Sequence, residues 1–335
     1  MEKELVFNNC PVTLQRGFDS YSPLGLRHLF NRKKVSHILN FNRDNKNFSA
    51  LIEKRKRISI SGVQEKFSVK LVGKELQLTD KAGEYILKPI PRDLENVDQV
   101  PANEHVTMQI AEQVFEIETA KNGIVFFSDG EIAYLTKRFD VLSNGERCLK
   151  EDFAVLSNKT IASGGVNFKY ESSYLEMAFL IDKYIPTALI TKERLFALAI
   201  FNYLISNGDA HLKNFSVIDY QQNGIYQLAP AYDLLCTRLH IDDSDIALND
   251  RLYDGDIQHP SYAKFGCYMH DDFLTLGEKM GLRAQTVAYY LNHFTNKTPQ
   301  VEDLVNRSFL NEEMKRKYLK CYYDKLKRLQ TKLNH

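Results

Sequence analysis

The periodicity of apolar residues changes character once along this chain, near Asp140, and that change limits the fold more than any single motif. Before it, Phe67, Val69 and Leu71 alternate with Ser68 and Lys70 in the period of a half-buried strand. Leu76 to Leu78, Tyr85 to Pro89, Gly123 to Phe127 and Ile132 to Asp140 read as further strands, the last two around an Asp129-Gly130 turn. One helix interrupts them, opening at Ala102-Asn103-Glu104-His105 and carrying Val106, Ile110, Ala111 and Val114 on one face. After Asp140 the spacing predicts helices over 174–184, 191–206, 271–280, 286–294 and 311–333, with strands only at 215–220 and 226–233. The expectation is an α+β fold of two unlike lobes, a strand-rich N-lobe over residues 1–140 and a mostly helical C-lobe over 141–335. The last helix is expected to bury one face and leave its lysines in water.

Where the most apolar helix ends, Ile205 to Asn214 (I-S-N-G-D-A-H-L-K-N) packs polar chemistry into ten residues. Asp209 and Asn214 stand five apart, the spacing at which a protein-kinase catalytic loop sets its base and its metal-binding amide. A carboxylate at the first position can take a proton from a substrate hydroxyl. An amide oxygen five residues on can hold a divalent cation between phosphates. Taken alone, the same residues also describe an Asn-Gly-Asp turn.

Other residues fit the same chemistry in chain order. Gly62 beside Ser61 lets a turn bend closely over a ligand, so that its amides can cradle phosphate. Lys88 closes an apolar strand before Pro89, Glu104 lies in the first turn of the N-lobe helix, and Asp233 follows a strand downstream of the central loop. Strand lysine, helix glutamate, loop aspartate and asparagine, then a second aspartate form the parts list of phosphoryl transfer, which is mostly positioning and charge neutralisation. Leu234-Leu235 follows Asp233, with no Phe-Gly.

Composition excludes little but constrains setting. With 44 Lys plus Arg against 43 Asp plus Glu the net charge is +1, so no global field draws the chain onto nucleic acid, and no direct nucleic-acid contact is expected. Lys54-Arg55-Lys56-Arg57 is a local basic run. The five cysteines are scattered, with neither zinc spacing nor an even count for a disulfide framework. Acids and an Asn pair stand where a signal peptide needs a basic start, and the segment 195–205 is about half a membrane span, interrupted by Asn202. The expectation is a cytoplasmic protein with no membrane contact.

Taken together, Ser59-Ile60-Ser61-Gly62-Val63-Gln64-Glu65-Lys66, Ile86-Leu87-Lys88-Pro89, Asn103-Glu104-His105, Arg138-Phe139-Asp140, Asn207 to Phe215 and Ala229-Pro230-Ala231-Tyr232-Asp233 resemble the HipA-type serine/threonine kinases of bacterial toxin–antitoxin systems. In its short stretch ahead of the loop, and in Ser-Ile-Ser itself, the chain is similar to HipT, the compact kinase of three-gene systems.

The resemblance implies a bilobal protein-kinase-like fold and an ATP- and Mg2+-dependent enzyme. It implies Asp209 as catalytic base, with His211 and Lys213 candidates to screen the transferring phosphate, and Asn214 and Asp233 as metal ligands. It places Ser61, Gly62, Val63, Gln64, Lys66, Lys88, Glu104, Thr136, Lys137, Arg138 and Asp233 at the nucleotide, with Thr136 to Arg138 on the adenine side. Ser59 and Ser61 match loop serines that such kinases autophosphorylate. The implied partners are a small HipS-like protein resembling the missing N-terminal subdomain, a HipB-like DNA-binding antitoxin, and an aminoacyl-tRNA synthetase as substrate, whose phosphorylation halts translation. Two other readings stay open: a small-molecule kinase, and a kinase-shaped binding module. The full catalytic set speaks against the second.

Overall fold

The computed structural model describes residues 7–43, 65–80, 83–91, 95–142 and 144–333. Five strands, β1 (Phe67–Val72), β2 (Glu75–Leu78), β3 (Tyr85–Pro89), β4 (Asn122–Phe126) and β5 (Ile132–Lys137), form one antiparallel sheet in the order β2-β1-β3-β5-β4. Alternation along β3 sends Tyr85 and Leu87 to one face, where they join Phe67, Val69, Val125 and Leu135 in a core closed by Tyr21, Leu29 and Phe30 of the N-terminal segment. It sends Lys88 to the other face, beneath the Val100–Gln113 helix.

That helix has no solvent face through most of its length: Val100 to Ala111 are all buried. It lies between the sheet and the helical half, so its polar residues must find partners inside the protein. Each does. Asn103 bonds Cys236, Glu104 bonds Lys88, His105 pairs with the Val12 carbonyl, Thr107 with the Tyr318 hydroxyl and Gln109 with Asn122.

Beyond β5 a small antiparallel sheet of β6 (Leu149–Asp152), β7 (Ser216–Asp219) and β8 (Gln227–Leu228) supports the helices Tyr174–Tyr184, Ala188–Leu204, His270–Lys279, Ala284–Thr295, Thr298–Arg307 and Glu312–Gln330. Leu195 to Leu204 are buried without a break, making the Ala188–Leu204 helix the axis of this half. The predicted 226–233 strand pairs only at Gln227–Leu228, after which Ala231 makes a lone parallel bridge to Thr119. The Thr298–Arg307 helix and β6 stand where no element was expected. Pro299 stands in the first turn of the Thr298–Arg307 helix, where proline is at home. The expectation that every lysine of the last helix faces water is corrected at Lys325, which is buried against Asp245. Among the described residues no helix is long and apolar enough to cross a membrane.

Candidate active site

Lys88, on the helix-facing side of β3, sends its Nζ to Glu104 Oε1 at 2.5 Å and also to Asp233 Oδ1. A lysine with 3% side-chain exposure would lose its proton unless paired, because burial favours the neutral form. Here burial is outweighed by the two carboxylates, which hold the ammonium above the ordinary lysine range. Asp233 is shifted the opposite way: burial would raise it, but Lys88 and Lys66 hold it well below the usual carboxylate range. Lys66 Nζ reaches Asp233 Oδ2 at 3.1 Å, so each carboxylate oxygen has its own ammonium. Glu104 is raised by burial, with Lys88 opposing.

Asp233 has a left-handed backbone (φ 56°), a region that aspartate enters more readily than most residues. The residues after it are fixed by side-chain to backbone bonds. Asn103 donates from Nδ2 to the Cys236 carbonyl (2.9 Å) and accepts from the Cys236 amide (3.1 Å). Thr237 Oγ1 accepts from the Gly208 amide (2.8 Å) and donates to the Ser206 carbonyl (3.0 Å). The helix of Glu104, the segment of Asp233 and the loop of Asp209 are thereby one bonded unit.

The loop itself is built from the end of the Ala188–Leu204 helix. Asn202, the polar break in that apolar run, accepts from Asn207 Nδ2 at 2.9 Å, and Asn207 Oδ1 meets the Asp209 amide at 3.4 Å. Asp209 leaves its side chain half exposed, with Oδ1 accepting from the Tyr170 hydroxyl at 2.8 Å. His211 Nε2 lies 3.8 Å from the same oxygen. Burial pushes the His211 imidazole down to about 4, against the pull of Asp209, so it is neutral at pH 7. Lys213 Nζ is paired with Asp152 Oδ2 at 3.1 Å. Asn214 and Asp233 line one small pocket with Asn202, Asn207 and Tyr232. Close packing reaches the loop backbone too: a Cβ built on Gly208 would lie 2.3 Å from Asp243 Cγ.

On the expected adenine side, Thr136 is buried with its hydroxyl toward the Lys121 carbonyl (3.3 Å). The Lys137 side chain turns away to Asn31 Oδ1, and the Arg138 guanidinium pairs with Asp140. Ser59, Ser61, Gly62, Val63 and Gln64, with the basic run Lys54 to Arg57, lie outside the described residues. Lys88, Glu104, Asp233 and Lys66 are thus brought together, as are Asp209, His211 and Asn214. Asn103 and Asn207 stood in the sequence only as members of motifs, with no role of their own, and Tyr170 and Thr237 were not singled out at all. A polar residue inside an apolar helix, as at Asn103 and Asn202, was the one signal that could have flagged such supports.

The profile of the HipA-like C-terminal domain matches residues 58–302. A protein of Haemophilus influenzae strain Rd, named as an inferred kinase, is 28% identical over 331 residues, covering 94% of each chain. Among solved structures, HipA of the Shewanella oneidensis MR-1 toxin–antitoxin system, in complex with HipB and its operator DNA, superposes with a TM-score of 0.60 at 21% identity, over 81% of this chain and 64% of that one. The proinflammatory kinase CtkA of Helicobacter pylori gives 0.50 at 15% identity, over 80% of this chain and 90% of its own. At these identities the two structures speak to the fold, and they bear out the α+β architecture of a strand-rich lobe and a helical part. Matched over most of its length by that profile, the chain belongs to the family of proteins built on the HipA-like C-terminal domain.

Proposed function

We propose that this chain is a serine/threonine protein kinase that transfers the γ-phosphate of ATP to a protein hydroxyl and serves as the toxin of a toxin–antitoxin system. The observation that carries the reading is the Lys88 ammonium held between Glu104 and Asp233. Two carboxylates keep that ammonium protonated inside the protein, and an ammonium so kept can exchange the Asp233 carboxylate for the phosphates of a nucleotide. In this reading residues 1–140 form the nucleotide lobe and 141–335 the lobe that carries acceptor chemistry.

Lys88 and Lys66 neutralise phosphate charge, and Thr136 to Arg138 border the base. Asp209 accepts the proton of the acceptor hydroxyl, which must come within hydrogen-bond reach of its carboxylate. Because His211 is neutral, Lys213 is the loop residue with a positive charge to offer the migrating phosphate. Asp233 and Asn214 fit Mg2+ by their chemistry: this ion takes one or two carboxylates and completes its shell with water and substrate phosphates. Among the described residues no three carboxylates, histidines or cysteines gather as they would for a metal held by protein alone. Held there by Asp233 and Asn214, the ion would supply positive charge to offset that of the nucleotide phosphates.

The finer reading follows the sequence. The chain is of the compact HipT type, its loop serines Ser59 and Ser61 are autophosphorylated, and it works in the cytoplasm with a HipS-like protein and a HipB-like antitoxin against an aminoacyl-tRNA synthetase. The test is incubation of wild-type and Asp209→Asn protein with radiolabelled ATP, magnesium and cell lysate. Label on protein with the wild type, a loss of about 100-fold or more with Asp209→Asn, and unchanged affinity for a fluorescent ATP analogue are expected. Transfer by Asp209→Asn at the wild-type rate overturns the assignment.

A further inference from the structure

We propose that Tyr170 is a positioning residue that holds the Asp209 carboxylate with one oxygen fixed and the other presented to the acceptor hydroxyl. The inference rests on the reading of Asp209 as the base. Asp209 sits on a loop with its side chain half exposed, and a carboxylate so placed turns freely unless something holds it. Tyr170 supplies the hold, since its hydroxyl donates to Oδ1 at 2.8 Å. Its ring stands edge-on to the His211 ring, with centroids 5.3 Å apart at 72°.

The tyrosine is in turn anchored from behind. It ends the Gly165–Tyr170 turn, and its carbonyl accepts from the Asn249 amide at 2.7 Å and the Ser172 amide at 2.9 Å. The following residues zip onto the same segment, Asp250 N to Ser172 O at 3.0 Å, Tyr174 N to Arg251 O at 3.1 Å and Leu175 N to Leu252 O at 3.0 Å. A phenol carried on a main chain that is itself bonded to a second segment is a stiffer strut than a free water would be in its place. With Oδ1 held by the Tyr170 hydroxyl, Oδ2 is the oxygen presented to the incoming hydroxyl, and a misplacement of about 1 Å there costs on the order of 100-fold in rate. Burial, reinforced by Asp209, pushes the phenol above the ordinary tyrosine range, so it stays a donor across the working pH.

A different role fits the same contact: the Tyr170 hydroxyl could stand where the acceptor hydroxyl must go and block it. Tyr170→Phe separates the two, because it deletes one oxygen and keeps the ring against His211. The experiment compares wild type, Tyr170→Phe and Asp209→Asn in single-turnover transfer from radiolabelled ATP to the chain itself and to lysate protein, with a melting curve and ATP-analogue affinity for each. For Tyr170→Phe we expect a loss of about 10-fold or more in the transfer rate constant, with KM for ATP and melting temperature unchanged. Tyr170→Phe at or above the wild-type rate, with Asp209→Asn inactive, overturns the strut and leaves the base assignment standing. A fall in melting temperature that accounts for the lost rate makes Tyr170 a structural residue only. A wild type that moves no label, or an active Asp209→Asn, overturns the underlying reading instead.

Discussion

His105 shares a helical turn with Glu104 and is fully buried, with Nε2 3.0 Å from the Val12 carbonyl and no partner for Nδ1 among the described residues. Burial pushes its imidazole down to about 4, while the Val12 carbonyl pulls the other way. The unfolded chain titrates near 6.5. Between those values the unfolded state takes up a proton that the folded state refuses, so stability present above about pH 6.5 is lost as the pH falls toward about 4. His211, also lowered to about 4, acts in the same direction, while Glu104, raised by burial, opposes at the acid end. His105→Gln is expected to melt lower than wild type at pH 7.5 but to lose less on going to pH 5; an equal loss in both would show that His105 does not carry the dependence. Residues such as Lys88, Asp209 and Asn214 were legible because their chemistry fixes short spacings in the chain. The support of Asp209 by Tyr170 spans 39 residues and that of Cys236 by Asn103 spans 133, and no local pattern encodes such a pairing.

At the scale of elements, the Val100–Gln113 helix is held to the segment after Asp233 by one side chain. Asn103→Ala leaves the buried Cys236 amide and His240 Nε2 without their Asn103 partner, the Cys236 carbonyl keeping the Leu239 amide at 3.3 Å, while it improves helix propensity, so a loss cannot come from the helix itself. The expected cost is about 3 kcal/mol in denaturant unfolding, from two buried polar groups at roughly 1–3 kcal/mol each. Affinity for an ATP analogue should fall with it, since Asp233 loses its downstream anchor. Unchanged stability would mean the two groups find other partners. Helix positions were readable from the spacing of apolar residues, as over Tyr174–Tyr184, which Ser173 caps with an Oγ that accepts from the Glu176 amide. β6 was not, because Leu149-Lys150-Glu151-Asp152 has no apolar alternation and becomes a strand only through its ladder to the buried β7.

Across the whole molecule, the Glu312–Gln330 helix reaches back to the stretch following the candidate site. Asp245 there meets Lys325, Arg328 and Arg238, and the Lys325 ammonium also stands 4.4 Å from the centre of the Tyr203 ring. Lys325 keeps 5% side-chain exposure; burial lowers its pKa and Asp245 opposes that. Removing one partner of a buried pair leaves an uncompensated charge, so Asp245→Asn is expected to cost about 3 kcal/mol. Adding Lys325→Met should recover part of it. A double variant no more stable than Asp245→Asn alone would place the loss in the arginine contacts.

The ion pairs of Asp233 with Lys88 and Lys66 describe a cleft whose counter-ions are already in place. Under the proposed reading, nucleotide entry is then an exchange and not the filling of a charged hole. Charges that satisfy one another set up little standing field, so neither a stray polyanion nor a lone divalent cation gains by entering, since each could relieve only one side of the pair. The ligand favoured is one that arrives carrying both replacements, phosphate oxygens for the two ammonium groups and a cation for the carboxylate. Discrimination of that kind needs no gate, because the resting site competes with every incomplete ligand on its own behalf.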